Sequence, residues 1–367
     1  MDPLEIAILN AGGPNRPAIV YARCGSDVAL ATLPAGAELK ALVDFQKRVH
    51  SALLQTQPRP GKQELVDFGR RLFAYVVRDD VARLYSRIPL GTFVRIHILT
   101  NRPDLQSLPW EYLQDPNQVP GPGSERSVIR IVPTIGRAVP APLPKVPAGQ
   151  KIKILFVYAD PSSEGPVSWP NVRASIDQVF ASKIPPDRYE ITPIPGTPQA
   201  LFKAFENAAD RYEIFQFSGH GDLDPNSNEG RLLLLNEADS SKSIPLPASL
   251  LAGLLNNRGI RLAVLSACMT GAGNSADPFS VMAEALIRSG IPAVVANQLP
   301  VPDASVATFV GPLYTNLLTT GDIDVAVSQG RIKLALDLGT SPLASLEWGI
   351  PTLFRHIAAS QVFLPQV

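Results

Sequence analysis

Cysteine is almost absent from this sequence: 367 residues hold only Cys24 and Cys268. Two thiols cannot build a disulfide framework, and they suit a reducing cytoplasm. Histidine is nearly as scarce, at four, and no His or Cys sits at zinc-ligand spacing, so a metal site is set aside. Net charge is missing too. The 33 Lys and Arg balance 33 Asp and Glu, which argues against broad phosphate binding and hence against a nucleic-acid partner. Long apolar runs are lacking: LLLL at 232–235 and IPAVVA at 291–296 are far too short to span a bilayer. The opening MDPLEIAILNAGG carries acids where a secretory signal carries a basic cluster. These absences leave an ordinary globular chain, long enough for a large core in one domain or two.

Proline is plentiful, at 36, and its placement is informative. Within TIGRAVPAPLPKVPAGQ, prolines fall at 140, 142, 144 and 147. No helix or central strand tolerates that spacing, so 134–150 is expected to be an extended connector. It would join an amino-terminal subdomain, 1–133, to a second domain, 151–367. In the first part PAIVYAR (17–23) and VRIHILT (94–100) have strand character. KQELVDFGRRLFAYVV (62–77) repeats Leu65, Phe68, Leu72 and Phe73 at helical spacing. No internal repeat is present.

A different rhythm begins after the connector. Strands are expected at 151–159, 189–194, 212–219, 261–267 and 292–297. Helices are expected near 171–183, 198–209 and 247–257, then after Asp277, near Asp303 and near Asp322. Such alternation predicts an α/β fold with a mostly parallel sheet covered on both faces. Ligands of such sheets bind beyond the carboxyl ends of the strands. The chemistry is therefore expected just after 217, 266 and 297.

One strand runs into Ser218-Gly219-His220-Gly221, and another into Ser266-Ala267-Cys268-Met269-Thr270-Gly271. A thiol becomes a strong nucleophile once an imidazole deprotonates it, and the same imidazole can protonate a leaving amine. Backbone N–H groups in glycine-rich turns suit an oxyanion, with Gly221 and Cys268 as the candidate donors. The glycines beside His220 are read as leaving room for a peptide. Alone, a strand-end Cys is usually a small buried hydrophobe and a strand-end His a structural residue. Together they are close to a known pattern, in which a caspase-type histidine lies about 50 residues before a Q-A-C-x-G cysteine, although here the signature is S-A-C-M-T-G, with Ser266 in place of Gln and one more residue before the glycine. Here the separation, 268 minus 220, is 48 residues. Asp222 and Asp224 follow the histidine and are read as facing water.

The second half resembles the CHAT family of caspase-like cysteine peptidases, relatives of caspases, separases and gingipains. The likeness is carried by FQFSGHGD, LAVLSACMTG, the stretch from SGIPAVVANQ to SQGRIKL, and the closing EWGIPTLF. DFGRRLF (67–73), LPWEYLQDP (108–116) and SVIRIVP (127–133) extend it into the first half, with Trp110 read as a buried anchor. The resemblance implies a caspase-like three-layer fold and an endopeptidase with His220 as general base and acid. Cys268 would be the nucleophile, and the N–H groups of Gly221 and Cys268 the oxyanion hole. It implies no metal or organic cofactor. Its substrate would be a protein, encoded nearby in a bacterial stress, cell-death or defence system, under an activating partner. Asp303 is a candidate contact for a basic substrate side chain and, equally, the cap of the helix it begins. Two further readings remain. One is a catalytically silent interaction module on the same scaffold. The other is a nucleotide-binding α/β protein, from Gly271, Gly273 and Ala276 spelling G-x-G-x-x-A.

Overall fold

The structure, a computed structural model, describes residues 3–10, 17–53, 58, 60–100, 102–118, 121–123, 125–134, 141–147, 149–164, 167–207, 211–269, 278–297, 303–337 and 344–367. The chain forms two compact units, Met1–Ile131 with Leu334–Gly349, and Val132–Lys333 with Ile350–Val367. Among the described residues, no helix is long and apolar enough to cross a membrane.

The first unit begins with β1 (Leu4–Asn10), β2 (Ala18–Cys24) and β3 (Asp27–Thr32). Helices α1 (Ala37–Leu53), α2 (Lys62–Val76) and α3 (Asp79–Tyr85) follow. Then come β4 (Val94–Leu99), the short α4 (Pro103–Gln106) and β5 (Arg126–Ile131). The strands lie in the order β3-β2-β1-β4-β5, with β1, β4 and β5 parallel. Leu4, Ile6 and Ile8 of β1 are buried at alternate positions, the period of a strand with one face on a core.

Sequence motifs far apart in the chain meet in this unit. Gly69 of DFGRRLF accepts a hydrogen bond from Gln114 N at 3.0 Å, and a Cβ on it would stand 2.2 Å from the Tyr112 carbonyl oxygen. Only glycine lets α2 approach so closely. Glu111 of LPWEYLQDP pairs with Arg130 of SVIRIVP at 3.2 Å, both buried. Trp110 is fully buried, and its indole N–H donates to Leu105 O at 2.7 Å. The Tyr112 hydroxyl donates to Leu346 O, and its ring meets Trp348 edge-on at 5.0 Å.

The second unit starts with β6 (Ile152–Tyr158), α5 (Trp169–Lys183), β7 (Tyr189–Pro195), α6 (Pro198–Ala204) and β8 (Ile214–Leu223). Next are β9 (Gly230–Leu235), β10 (Ser243–Pro247), α7 (Ala248–Leu255), β11 (Leu262–Met269) and α8 (Pro278–Arg288). It continues with β12 (Ala293–Asn297), α9 (Asp303–Thr320) and α10 (Ile323–Leu336). Helix α11 (Ala344–Glu347) falls in the first unit, and β13 (Pro351–Arg355) in the second. Strands β7, β6, β8, β11 and β12 are parallel, and β13 adds antiparallel to β12. This is the mostly parallel α/β sheet that the strand–helix alternation predicts.

Helices cover both faces. On one, Phe215, Phe217, Ala263 and Leu265 pack with Leu201 of α6, Leu251 of α7 and Met282 and Leu286 of α8. The other face carries α5 and α9, whose Phe180 and Tyr314 rings lie 5.7 Å apart.

Two strands run further than the sequence suggests. β8 does not stop at Gly219 but continues to Leu223, because 220–223 pair antiparallel with Gly230–Leu233 of β9. β11 likewise continues past Ala267 to Met269, alongside Gly221.

Candidate functional site

FQFSGH is a strand that changes chemistry by face. Successive residues of a strand point to opposite sides. Phe215 and Phe217 therefore enter the core under α6–α8, while Gln216, Ser218 and His220 share the other face with α5 and α9. The parallel register sets Val264 against Gln216, Ser266 against Ser218 and Cys268 against His220. Adjacent strands lie about 4.8 Å apart, so positions 220 and 268 are immediate neighbours on one face of the sheet. Both stand at the carboxyl end of their strands, where an open α/β sheet places its ligands. The His220 side chain is buried, at 3% exposure.

The remaining expectations resolve unevenly. Gly221 lies within β8, opposite Met269 on one side and Leu232 on the other, rather than in a turn. Gly219 is not bare to admit a peptide. A Cβ there would stand 2.6 Å from the Phe217 ring and 2.8 Å from the Ala159 carbonyl oxygen. It is a packing glycine on the core side, made necessary by the chain leaving β6, whose Ala159 N donates to Ser218 O at 2.9 Å. Asp303 is the first residue of α9. Thr270, Gly271, Gly273, Ala276 and the segment 298–302 lie outside the described residues.

Asp222 and Asp224 do not simply face water. Arg231 of β9 donates to both oxygens of Asp222, at 2.8 and 2.6 Å, and to Asp224 at 2.9 Å. The two carboxylates keep only 26% and 28% of their exposure. Backbone N–H groups of Ser227 and Asn226 further lower the pKa of Asp224. The cluster clamps the β8–β9 hairpin directly after His220.

Below the His220 row lies a buried polar ladder that sequence reasoning missed. The Gln216 amide donates to Ser266 Oγ at 2.9 Å and accepts from the Tyr314 hydroxyl of α9 at 2.8 Å. Gln216 and Tyr314 are fully buried, and burial raises the Tyr314 pKa. A buried amide with satisfied partners fixes one arrangement of the elements it joins. Here it ties α9 to β8 and β11 beneath the site. The signal was present in the sequence: a glutamine at strand period with His220, set between Phe215 and Phe217. Tyr314→Phe would keep the ring contact with Phe180 and strip Gln216 Oε1 of its donor. It should cost about 1–3 kcal/mol, read as a lower urea midpoint at unchanged slope.

Among the described residues, no group of three or more His, Cys, Asp or Glu could hold a metal ion. No curated protein matches the sequence. Solved structures that it resembles include "the Arg specific cysteine proteinase gingipain R", at 13% identity and TM-score 0.45, over 88% of this chain and 75% of that one. A Saccharomyces cerevisiae separase–securin complex matches at 11% identity and TM-score 0.40, over 88% of this chain. The chain spans 22% of the length of that separase chain. A complex of Porphyromonas gingivalis RgpB pro- and mature domains matches at 10% identity and TM-score 0.43, over 88% of this chain and 77% of that one. The family is shown by sequence: the CHAT domain matches residues 67–356, most of the chain and both of the strands that carry His220 and Cys268, so the chain belongs to the CHAT-domain family.

Proposed function

We propose that this protein is a cysteine endopeptidase whose catalytic pair is His220 and Cys268. The observation that carries the reading is the β8–β11 register, which makes 220 and 268 neighbours at the carboxyl edge of a parallel sheet. In the proposed reaction, the His220 imidazole takes the Cys268 proton. The thiolate attacks the scissile carbonyl carbon, and charge collects on its oxygen. Backbone N–H groups of Gly221 and Cys268 are the proposed donors to that oxyanion. Collapse expels the amine, which takes the proton back from His220. Water then cleaves the thioester, releases the acid and restores the thiol. No step needs a metal or organic cofactor.

The proposed substrate is a protein encoded by a neighbouring gene, cut under control of an activating partner in a bacterial stress or defence system. Asp303 remains the proposed contact for a basic side chain before the scissile bond. The amino-terminal subdomain (1–133), connector (134–150) and catalytic domain (151–367) remain the proposed functional division.

The test is co-expression of the wild type and of Cys268→Ala with the products of neighbouring genes. A fragment should appear with the wild type and be missing with the alanine variant. Equal cleavage by both proteins would remove Cys268 from the chemistry.

A further inference from the structure

A pair of aromatic rings sits beside the proposed dyad without a place in the reaction above. Tyr158, the last residue of β6, stacks on Trp169, the first residue of α5, at 4.2 Å and 17° between the planes. Both rings are only half-buried. Large, rigid aromatic side chains that keep part of their surface open are what recognition surfaces employ.

The register locates this pair. Tyr158 is opposite Ser218, and the pairing of 156 with Gln216 puts Phe156 and Tyr158 on the His220 face. From Tyr158 to His220 is one strand across and two residues along. With strands about 4.8 Å apart and about 3.3 Å of rise per residue, that is roughly 8 Å. An extended peptide with its scissile carbonyl at the dyad covers that distance in about two residues.

We propose that the Tyr158–Trp169 stack is a substrate subsite, taking a large apolar or aromatic side chain within about two residues of the scissile bond. The inference rests on the peptidase reading of the same site. The flat shelf would bury that side chain and leave the peptide backbone to other groups. The stack also steadies the first turn of α5, so a change in activity alone would not separate the two roles. A change in which peptides are preferred does.

The experiment uses the full chain with a library of internally quenched peptides, varied one position at a time around the cleavage site. The wild type should favour Phe, Tyr, Trp or Leu at one position over Ala. In Trp169→Ala, kcat/KM for the aromatic peptides should fall about three- to tenfold. Peptides with Ala at that position should be cleaved at the wild-type rate. Trp169→Phe should restore most of the preference, and thermal midpoints of all variants report whether α5 is still seated. A uniform loss for every peptide, or an unchanged preference in a folded Trp169→Ala protein, would overturn the subsite and leave the peptidase intact. Cleavage by Cys268→Ala equal to wild type, or no cleavage by the wild type, would overturn both.

Discussion

His220→Gln should lower kcat by about 10²–10⁴-fold with little change in KM. Glutamine is polar and of similar reach, so it can occupy a buried strand position, but it cannot carry a proton between thiol and amine. Without an imidazole the Cys268 thiol returns to its weak neutral form, and the leaving amine departs unprotonated. Both half-reactions slow, while the contacts that bind the peptide remain. The measurement is steady-state cleavage of a peptide the wild type accepts, alongside thermal unfolding of the variant. A second readout isolates the base: the rate of Cys268 alkylation by iodoacetamide should fall in His220→Gln. If the folded variant keeps wild-type kcat, His220 is a structural residue of β8. A fall in rate that tracks a collapse in thermal midpoint would likewise assign it to the fold.

The alternation in FQFSGH and the short apolar run in LAVLSA made β8 and β11 legible, because a strand between two helical layers must be apolar on at least one side. Their parallel arrangement was legible from the intervening helical pattern. What was not legible was how far each strand runs. His220 looks like a loop residue, since glycines flank it and an acidic stretch follows. It is in a strand because Gly230–Leu233 supplies partners across a hairpin, and no local pattern announces that pairing. Gly219 misled for the same reason. Its need for glycine comes from Ala159, sixty positions away in the chain, and not from any substrate.

The family motifs divide in the same way. GHG and SAC fall on neighbouring strand ends in the second unit. LPWEYLQDP, DFGRRLF and EWG meet each other inside the first, through Gly69, Tyr112 and Trp348. Reading Trp110 as an anchor required only its size and polarity. Finding that Glu111 pairs with Arg130, or that Tyr112 packs on Trp348, required the fold. The sequence shows a charged or aromatic residue, and its partner is a property of topology. The Gln216–Tyr314 link is the same kind of fact, and it lies directly under the proposed chemistry.

Asp324→Ala should unfold the protein more readily than any other single change considered, by about 3–5 kcal/mol. Asp324 accepts two hydrogen bonds from Arg355, from Nε at 2.8 Å and Nη2 at 3.0 Å, with the side chains 0% and 1% exposed. Truncating the carboxylate takes the Asp324 charge away from a buried guanidinium, whose other amine still donates to His356 O and Ile357 O. The sign of the companion experiment is different. Asp324→Leu with Arg355→Met removes both charges and should cost much less than Asp324→Ala, because the penalty lies in the charge left buried more than in the lost pair. Urea midpoints of the three proteins decide this, and a double variant as unstable as the single one would mean that packing around the pair matters more than its charge. Activity separates this site from the dyad. Arg355 shares a row with Ala293, which pairs with Leu262, while Cys268 stands six residues further along β11. At about 3.3 Å per residue that is about 20 Å from the proposed chemistry. Specific activity per folded molecule should therefore be unchanged in the double variant, so that a loss of stability at α10 and β13 leaves the rate at the carboxyl edge where it was.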